Sequence, residues 1–123
     1  MPAKIAIVED DLTIQQMYKY RLELAGYIVK TADNGQAGLE LLRHFAPDLV
    51  LLDIRMPIMS GDELLHKLRA EDWGAAMRVF ILTNISKSEA PASLRILQVD
   101  RYVIKAHHTP SQIVEMIQET LGD

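Results

Sequence analysis

Polar side chains that could carry out chemistry follow four of the short apolar stretches in this sequence. Glu9 and Asp10 follow the first stretch, Asp53 the third, Thr83 the fourth and Lys105 the fifth. Clustered carboxylates repel one another, and Mg²⁺, which takes one or two carboxylates and keeps several waters, compensates such repulsion. A carboxylate nucleophile, a Mg²⁺ site, a hydroxyl donor and a fixed ammonium group together make a phosphoryl-transfer site.

The element that must position Asp53 is the stretch Leu49–Leu52 directly before it. Four consecutive apolar residues after Pro47-Asp48 fit a strand that is buried on both faces of a parallel sheet. In open α/β sheets ligands bind at the carboxyl ends of the strands, which is where Asp53 stands. Taken alone, Asp53 could equally be a capping or turn residue. The residues at the other strand ends favour the functional interpretation.

Apolar stretches alternate with helical patterns along the whole chain, and we predict five strands, each followed by a helix. The predicted strands are Ile5–Val8, Tyr27–Thr31, Leu49–Leu52, Val79–Leu82 and Tyr102–Ile104. The fourth predicted helix lies near Pro91–Leu97, and the fifth follows Thr109. This series predicts an α/β fold with a doubly wound parallel sheet, helices on both faces and right-handed crossovers. The polar residues would then meet at one sheet edge, over the topological switch point.

Capping residues predict where the first, third and fifth helices begin. Asp11 is the expected N-cap of the first helix, whose core face would carry Ile14, Met17, Tyr18 and Leu22. Ser60-Gly61-Asp62-Glu63 matches the S-x-x-E capping box. Thr109-Pro110-Ser111-Gln112 combines a T-x-x-Q box with proline at the first helical position.

Composition excludes several classes of function. The chain has 123 residues, 49% of them hydrophobic, which suits one globular domain. Its net charge is −4 and no basic stripe runs along any predicted element, so we expect no direct binding of nucleic acid by this domain. The chain has no cysteine, which fits a reducing cytosol, and its apolar stretches are far shorter than a membrane span. We therefore expect a cytoplasmic protein that does not enter a membrane.

The whole chain resembles the receiver domain of bacterial two-component response regulators, in particular the chemotaxis-regulator type. The segments that carry the resemblance are Val8–Asp11, Asp53–Pro57 with Gly61, Leu82–Thr83 and Asp100–Lys105. The resemblance implies one receiver domain over residues 1–123, with a flavodoxin-like (βα)5 fold and strand order 2-1-3-4-5.

Residue by residue, the resemblance implies a phosphoacceptor and a metal site. Asp53 would attack a phosphohistidine on a sensor kinase. Mg²⁺ would be held by Asp10, Asp53 and the main-chain carbonyl of Arg55, with Glu9 acting through water. The protein would catalyse only its own phosphorylation and dephosphorylation, and would not be an enzyme that acts on other substrates.

The resemblance also implies a switch. Thr83 and Lys105 would contact the phosphoryl oxygens, and the Tyr102 ring would turn inward into the space that Thr83 vacates. A phosphoryl group adds charge and acceptor oxygens, so phosphorylation would shift an existing equilibrium. The affected surface would be that of the fourth predicted helix, the fifth strand and the fifth helix. Arg55 and Asn84 would flank the phosphoryl group, where we expect them to tune the access of the hydrolytic water.

Partners follow from the same resemblance. The phosphoryl donor would be a sensor histidine kinase or a phosphotransfer protein of a phosphorelay, and the signal would pass to a downstream effector, an output domain or a phosphorylation-dependent dimer. One alternative is an interaction module that works without phosphorylation, against which the intact Asp53, Thr83 and Lys105 argue. Another is a phosphatase of the haloacid-dehalogenase type, which needs a second aspartate where this chain has Arg55.

The sequence departs from the family pattern next to two site residues. Asn84 follows Thr83 where a small residue is common, and Ala106 follows Lys105 where proline, joined by a cis bond, is usual. A cis bond before a residue other than proline costs about 2.5–4 kcal/mol. We therefore expect the bond between Lys105 and Ala106 to be trans, with Lys105 still pointing inward.

Overall fold

One five-stranded sheet organises residues 2–122, the part of the chain that the computed structural model describes. Its strands are β1 (Lys4–Val8), β2 (Ile28–Ala32), β3 (Leu49–Leu52), β4 (Arg78–Thr83) and β5 (Arg101–Ile104). All neighbouring strands are parallel and their order is β2-β1-β3-β4-β5, which confirms the predicted topology. The carboxyl ends of β1, β3, β4 and β5 therefore lie along one edge of the sheet.

The residues that the structure describes form four α-helices, one fewer than the sequence predicts. They are α1 (Leu12–Leu24), α2 (Gly35–Phe45), α3 (Gly61–Ala70) and α4 (Pro110–Leu121), so that α4 is the fifth predicted helix. Buried side chains fill both faces of the sheet, with α2 and α3 on one face and α1 and α4 on the other, as predicted. None of these four helices is long and apolar enough to cross a lipid bilayer.

The helix predicted near Pro91–Leu97 is wrong, because this segment contains a single 3-10 turn, Ala92–Arg95. Gln98 has a φ of 55°, which lies outside the right-handed helical region. The Arg69 guanidinium binds the main-chain carbonyls of Leu97 and Gln98 at 2.8 and 2.5 Å. A right-handed helix could not continue past Leu97 through a left-handed residue, and Arg69 fixes the two carbonyls at this end of the segment.

The predicted starts of the three helices are confirmed, but the capping box predicted at α3 does not form. Asp11 accepts hydrogen bonds from the first turn of α1 at 3.0 and 3.1 Å. The Thr109 capping box of α4 is complete, with both of its hydrogen bonds formed, at 2.9 and 3.2 Å. Ser60 is the N-cap of α3, but its side chain makes no capping bond. The Gly61 amide donates to the Ile54 carbonyl at 2.7 Å, so the loop after β3 fixes the start of α3.

Candidate functional site

Two buried carboxylates stand on adjacent strands at the carboxyl edge of the sheet. Glu9 follows β1 and Asp53 follows β3, and the two strands are in register at Val8 and Leu52. The Asp53 amide donates to the Val8 carbonyl at 3.1 Å. Glu9 is 4% exposed and Asp53 is 9% exposed, so the fold keeps both carboxylates largely out of bulk water.

The ammonium group of Lys105 bridges these two carboxylates. Lys105 follows β5, and its side chain reaches past the end of β4 to donate to Glu9 Oε1 and, at 3.1 Å, to Asp53 Oδ2. Burial by itself lowers the pKa of Lys105, but the hydrogen bond to Glu9 and the charges of Asp53 and Glu9 outweigh it and raise the pKa. The ammonium therefore keeps its charge at neutral pH.

The carboxylates carry more negative charge than Lys105 offsets. Burial raises the pKa of Glu9, and the nearby charge of Asp53 raises it too. The hydrogen bonds that Lys105 and the Asp11 amide donate to the Glu9 carboxylate act in the opposite direction. Since burial and the neighbouring Asp53 charge both disfavour the ionised form of Glu9, a further cation at this place would stabilise the cluster.

The carboxylates of Glu9, Asp10 and Asp53 fit a metal ion. Each offers one oxygen, and these oxygens lie within 4.8 Å of one another. Asp10 is exposed, so the group opens to solvent and leaves room for metal-bound waters. Asp53 Oδ1 accepts from the Ile54 amide at 2.7 Å, which holds this carboxylate in a fixed orientation. Hard oxygen donors with space for water are what Mg²⁺ prefers.

Gly61 allows the start of α3 to pack directly against the main chain of Asp53. A Cβ atom at position 61 would lie 2.0 Å from the Asp53 carbonyl oxygen, which is closer than non-bonded atoms can approach. A larger residue would push α3 and the end of β3 apart. The glycine of the segment that follows Asp53 therefore shapes the loop that carries the carboxylate.

Thr83 and Tyr102 meet at the main chain of Ile85. Thr83 is buried at the end of β4, and its hydroxyl accepts from the Ile85 amide at 3.4 Å. The Tyr102 hydroxyl donates to the Ile85 carbonyl at 2.6 Å. Burial raises the pKa of Tyr102, and the charges of Asp53 and Glu89 raise it further, so the phenol remains a donor. One residue of the loop after β4 is thus bonded to both predicted switch residues.

The other predicted site residues lie at the rim of the cluster. Arg55 is exposed in the loop after β3, two residues beyond Asp53. Asn84 is exposed directly after β4, and its Oδ1 accepts from the Ala106 amide at 3.1 Å. The described residues contain no cis peptide bond, which confirms the trans bond predicted between Lys105 and Ala106.

The buried face of α1 differs from the predicted one. It carries Gln15, Tyr18 and Leu22, whereas Ile14 is half-buried and Met17 is 39% exposed. Gln15, and not the predicted Met17, lies on the buried face, because positions 15, 18 and 22 follow the i, i+3, i+7 spacing of one helix face. A polar residue that continues an apolar helical stripe was the signal that could have identified it.

Gln15 supports the site from the side of α1. Its amide nitrogen donates to the main-chain carbonyls of Glu9 and Ala32 at 2.9 and 3.2 Å, and to Asp33 Oδ1 at 2.8 Å. The bond to Glu9 supplies the donor for a buried carbonyl just after β1, whereas the Ala32 carbonyl also accepts from the Glu9 amide at 3.0 Å. Gln15 therefore fixes the main chain from which the Glu9 side chain extends.

Comparison with known proteins identifies the family. The profile of the response regulator receiver domain matches residues 5–118 of this chain. The chain belongs to the response regulator receiver domain family. The receiver is 30% identical over 123 residues to the polar-differentiation response regulator DivK of Brucella anthropi, a match that covers 100% of this chain and 99% of DivK. The family is one of receivers in two-component signalling, as the resemblance implied.

Solved receiver structures share the fold over nearly the whole chain. A CheY-like receiver domain protein from Methanospirillum hungatei superimposes with a TM-score of 0.90 at 30% identity, covering 99% of this chain and 95% of that one. The chemotaxis protein CheY4 of Vibrio cholerae gives a TM-score of 0.88 at 25% identity, covering 97% of this chain and 98% of that one.

Several relatives are longer than this receiver. The nitrate/nitrite response regulator NarL of Escherichia coli is 32% identical over 124 residues, a match that covers 99% of this chain and 56% of NarL. The match to the probable transcriptional regulatory protein TcrX of Mycobacterium tuberculosis covers 34% of that protein. The chain therefore spans about half the length of these relatives.

Proposed function

We propose that this receiver accepts a phosphoryl group on Asp53, taken from the phosphohistidine of a sensor histidine kinase or a phosphotransfer protein. The observation that carries the proposal is the 3.1 Å contact between the Lys105 ammonium and Asp53 Oδ2 at the end of a central strand. A fixed positive charge beside a carboxylate nucleophile stabilises the charge that a phosphoryl group brings to it.

The transfer makes one bond and breaks one. A carboxylate oxygen of Asp53 forms a bond to phosphorus, while the bond between phosphorus and the imidazole nitrogen of the donor breaks. The electron pair of the broken bond stays on that nitrogen, which takes up a proton, and Asp53 becomes an acyl phosphate. Lys105 then faces the phosphoryl oxygens instead of a free carboxylate, and we expect the Thr83 hydroxyl to donate to them.

The metal site of the proposal consists of Asp10, Asp53, the main-chain carbonyl of Arg55 and, through water, Glu9. Bound Mg²⁺ would neutralise negative charge on the phosphoryl oxygens. Glu9 Oε1 already accepts from Lys105, which supports an indirect role for Glu9. Asp10 is exposed and has a carboxylate oxygen within 4.8 Å of one from Asp53, which supports a direct role.

The proposed switch starts at Thr83. In the structure the Thr83 hydroxyl accepts a long hydrogen bond, 3.4 Å, from the Ile85 amide. Thr83 can give up this bond when its hydroxyl moves to donate to a phosphoryl oxygen. The Tyr102 hydroxyl holds the Ile85 carbonyl. A movement of Thr83 would therefore change the loop that Tyr102 contacts, and shift the Tyr102 ring between its outward and inward positions.

The surface that the switch would alter differs from the one the sequence suggested. In place of the fourth predicted helix it contains the 3-10 turn Ala92–Arg95, together with β5 and α4. We propose that a downstream effector, an output domain or a second phosphorylated copy binds there. In the alternative, an interaction module that works without phosphorylation, the contact between Lys105 and Asp53 would have a structural role but no chemical one.

Labelling with a small phosphodonor tests the proposed function. The receiver is incubated with acetyl phosphate and Mg²⁺, and its intact mass is followed. We expect one phosphoryl group on the wild type, and none on Asp53→Asn or when EDTA replaces Mg²⁺. Asp62→Asn, on the first turn of α3, is the matched control and should label like the wild type. Equal labelling of the wild type and Asp53→Asn would overturn the assignment of Asp53.

A further inference from the structure

A side chain from the loop after β4 caps the turn that carries Lys105. Asn84 Oδ1 accepts from the Ala106 amide at 3.1 Å, across 22 positions of sequence. Ala106 is the middle residue of the 3-10 turn Lys105–His107. The first N–H groups of such a turn have no partner within it. Asn84 supplies an external acceptor for one of them.

The two departures from the family pattern therefore meet in one hydrogen bond. Proline at position 106 would have no N–H to donate, and a small apolar residue at position 84 would offer no acceptor. This chain has Ala106 and Asn84, and the two groups contact each other. Each unusual residue supplies what the other needs.

This hydrogen bond acts on the main chain directly beside Lys105. Ala106 follows Lys105 in the chain, and the Lys105 ammonium contacts Asp53 Oδ2 at 3.1 Å. The Tyr102 hydroxyl joins the same two segments a second time, through the Ile85 carbonyl at 2.6 Å. The end of β5 is thus tied to the loop after β4 on both sides of Lys105.

We propose that Asn84 is a positioning residue for Lys105, acting through the Ala106 N–H. By holding the turn, Asn84 keeps the ammonium on Asp53 and on the phosphoryl group formed there. The consequence for turnover rests on the proposed function, whereas the position of Lys105 can be measured without any phosphorylation. Loss of one hydrogen bond of ordinary strength corresponds to a change of roughly fivefold in the rates that depend on it.

Variants at position 84 distinguish the effect of the hydrogen-bond acceptor from the effect of side-chain size. Asn84→Leu keeps the size of the side chain and removes the acceptor, whereas Asn84→Asp keeps an acceptor oxygen. Ser86→Ala is the matched control, because Ser86 is exposed in the same loop and its hydroxyl pairs with Ser88 at 3.2 Å. Ala106→Pro removes the donor itself.

Two readouts are taken on the unphosphorylated protein. One is hydrogen exchange of the Ala106 amide, and the other is acetylation of the Lys105 amine by limiting acetic anhydride, with exposed Lys87 as internal reference. We expect Asn84→Leu to speed both by roughly fivefold. Asn84→Asp and Ser86→Ala should exchange at Ala106 as the wild type does. In the Ala106→Pro background, Asn84→Leu should add no further change at Lys105, because the donor is already gone.

Phosphorylation by acetyl phosphate is then measured on the same variants. We expect Asn84→Leu to lower the maximal rate more than it raises the half-saturating acetyl phosphate concentration. If Asn84→Leu frees the Ala106 amide but leaves Lys105 acetylation at the wild-type rate, the inference is overturned. It is equally overturned if the effect of Asn84→Leu on Lys105 persists in full in the Ala106→Pro background. A wild type that is not labelled on Asp53 would contradict the proposed function, while Lys105 acetylation would still decide this inference.

Discussion

The Lys105 ammonium donates to the Asp53 carboxylate at 3.1 Å, although the two residues are 52 positions apart in the sequence. The same ammonium contacts the buried carboxylate of Glu9. The ammonium group of Lys105, which follows β5, thus donates hydrogen bonds to two carboxylates that follow β1 and β3. The chemistry and the stability of this edge both depend on that cation.

Removing the Lys105 charge should destabilise the metal-free protein. Lys105→Gln would leave Glu9 and Asp53 facing each other without their shared positive charge, and we expect the free energy of unfolding to fall by roughly 1–3 kcal/mol. The control is Lys67→Gln, whose exposed pair with Glu63 is 3.9 Å long and should contribute less than about 1 kcal/mol. Urea unfolding in EDTA measures both. Equal losses in the two variants would show that Lys105 is no more than a surface charge.

Mg²⁺ should stabilise the protein through Asp10. A ligand that binds only the folded state adds about 2.7 kcal/mol at 100 times its Kd, so the melting temperature should rise with Mg²⁺ concentration. Asp10→Asn should shift this titration to higher Mg²⁺ concentrations, because it removes one carboxylate of the cluster. Asp62→Asn is the control and should titrate like the wild type. Identical titrations for Asp10→Asn and the wild type would refute the proposed metal site.

Gln15 should contribute more to stability than its polar character suggests. Gln15→Leu would leave the buried Glu9 carbonyl without its donor, and we expect a loss of roughly 1–3 kcal/mol in the free energy of unfolding. Gln36→Leu, at an exposed position of α2, should stay within about 0.5 kcal/mol of the wild type. The prediction is wrong if chemical denaturation gives the two variants the same midpoint.

The parallel sheet and the polar residues at its strand ends could be predicted because both depend on local patterns, whereas the strand order was implied by the resemblance to receiver domains. The apolar run Leu49–Leu52 indicates a central strand whatever its neighbours are, and Asp53 must then lie at the carboxyl edge. A βαβ series leaves few alternatives for how such strands are ordered. The trans bond after Lys105 was also predictable, since it follows from the identity of Ala106 alone.

The features that sequence analysis missed depend on tertiary contacts. The segment near residues 91–97 has helix-compatible residues but forms a single 3-10 turn, and Arg69 of α3 fixes its end by binding the carbonyls of Leu97 and Gln98. Ser60 has the right spacing for a capping box, yet the main chain of the loop after β3 determines where α3 starts. Such contacts join distant segments, and no local pattern contains them.

Arg55 should control how long the phosphoryl group persists. Arg55→Ala removes an exposed side chain beside Asp53 but keeps the main-chain carbonyl proposed as a metal ligand. We therefore expect the phosphoryl group to be lost several-fold faster, with little change in Mg²⁺ affinity. A tenfold change in this rate would correspond to about 1.4 kcal/mol in the activation free energy of hydrolysis. Arg43→Ala, exposed on α2, is the control. A wild-type decay rate in Arg55→Ala would remove Arg55 from the proposed mechanism.

Whether Asp53 is the phosphoacceptor is decided by locating the phosphoryl group on the chain. After labelling with acetyl phosphate and Mg²⁺, borohydride reduces an aspartyl phosphate to homoserine, and peptide mass spectrometry finds the residue that has changed. We predict homoserine at position 53 in the Mg²⁺-treated wild type and no homoserine in the EDTA-treated sample. Homoserine at Asp10 or at another aspartate, or none at all in a fully folded Mg²⁺-treated sample, would contradict the assignment of Asp53 as the phosphoacceptor.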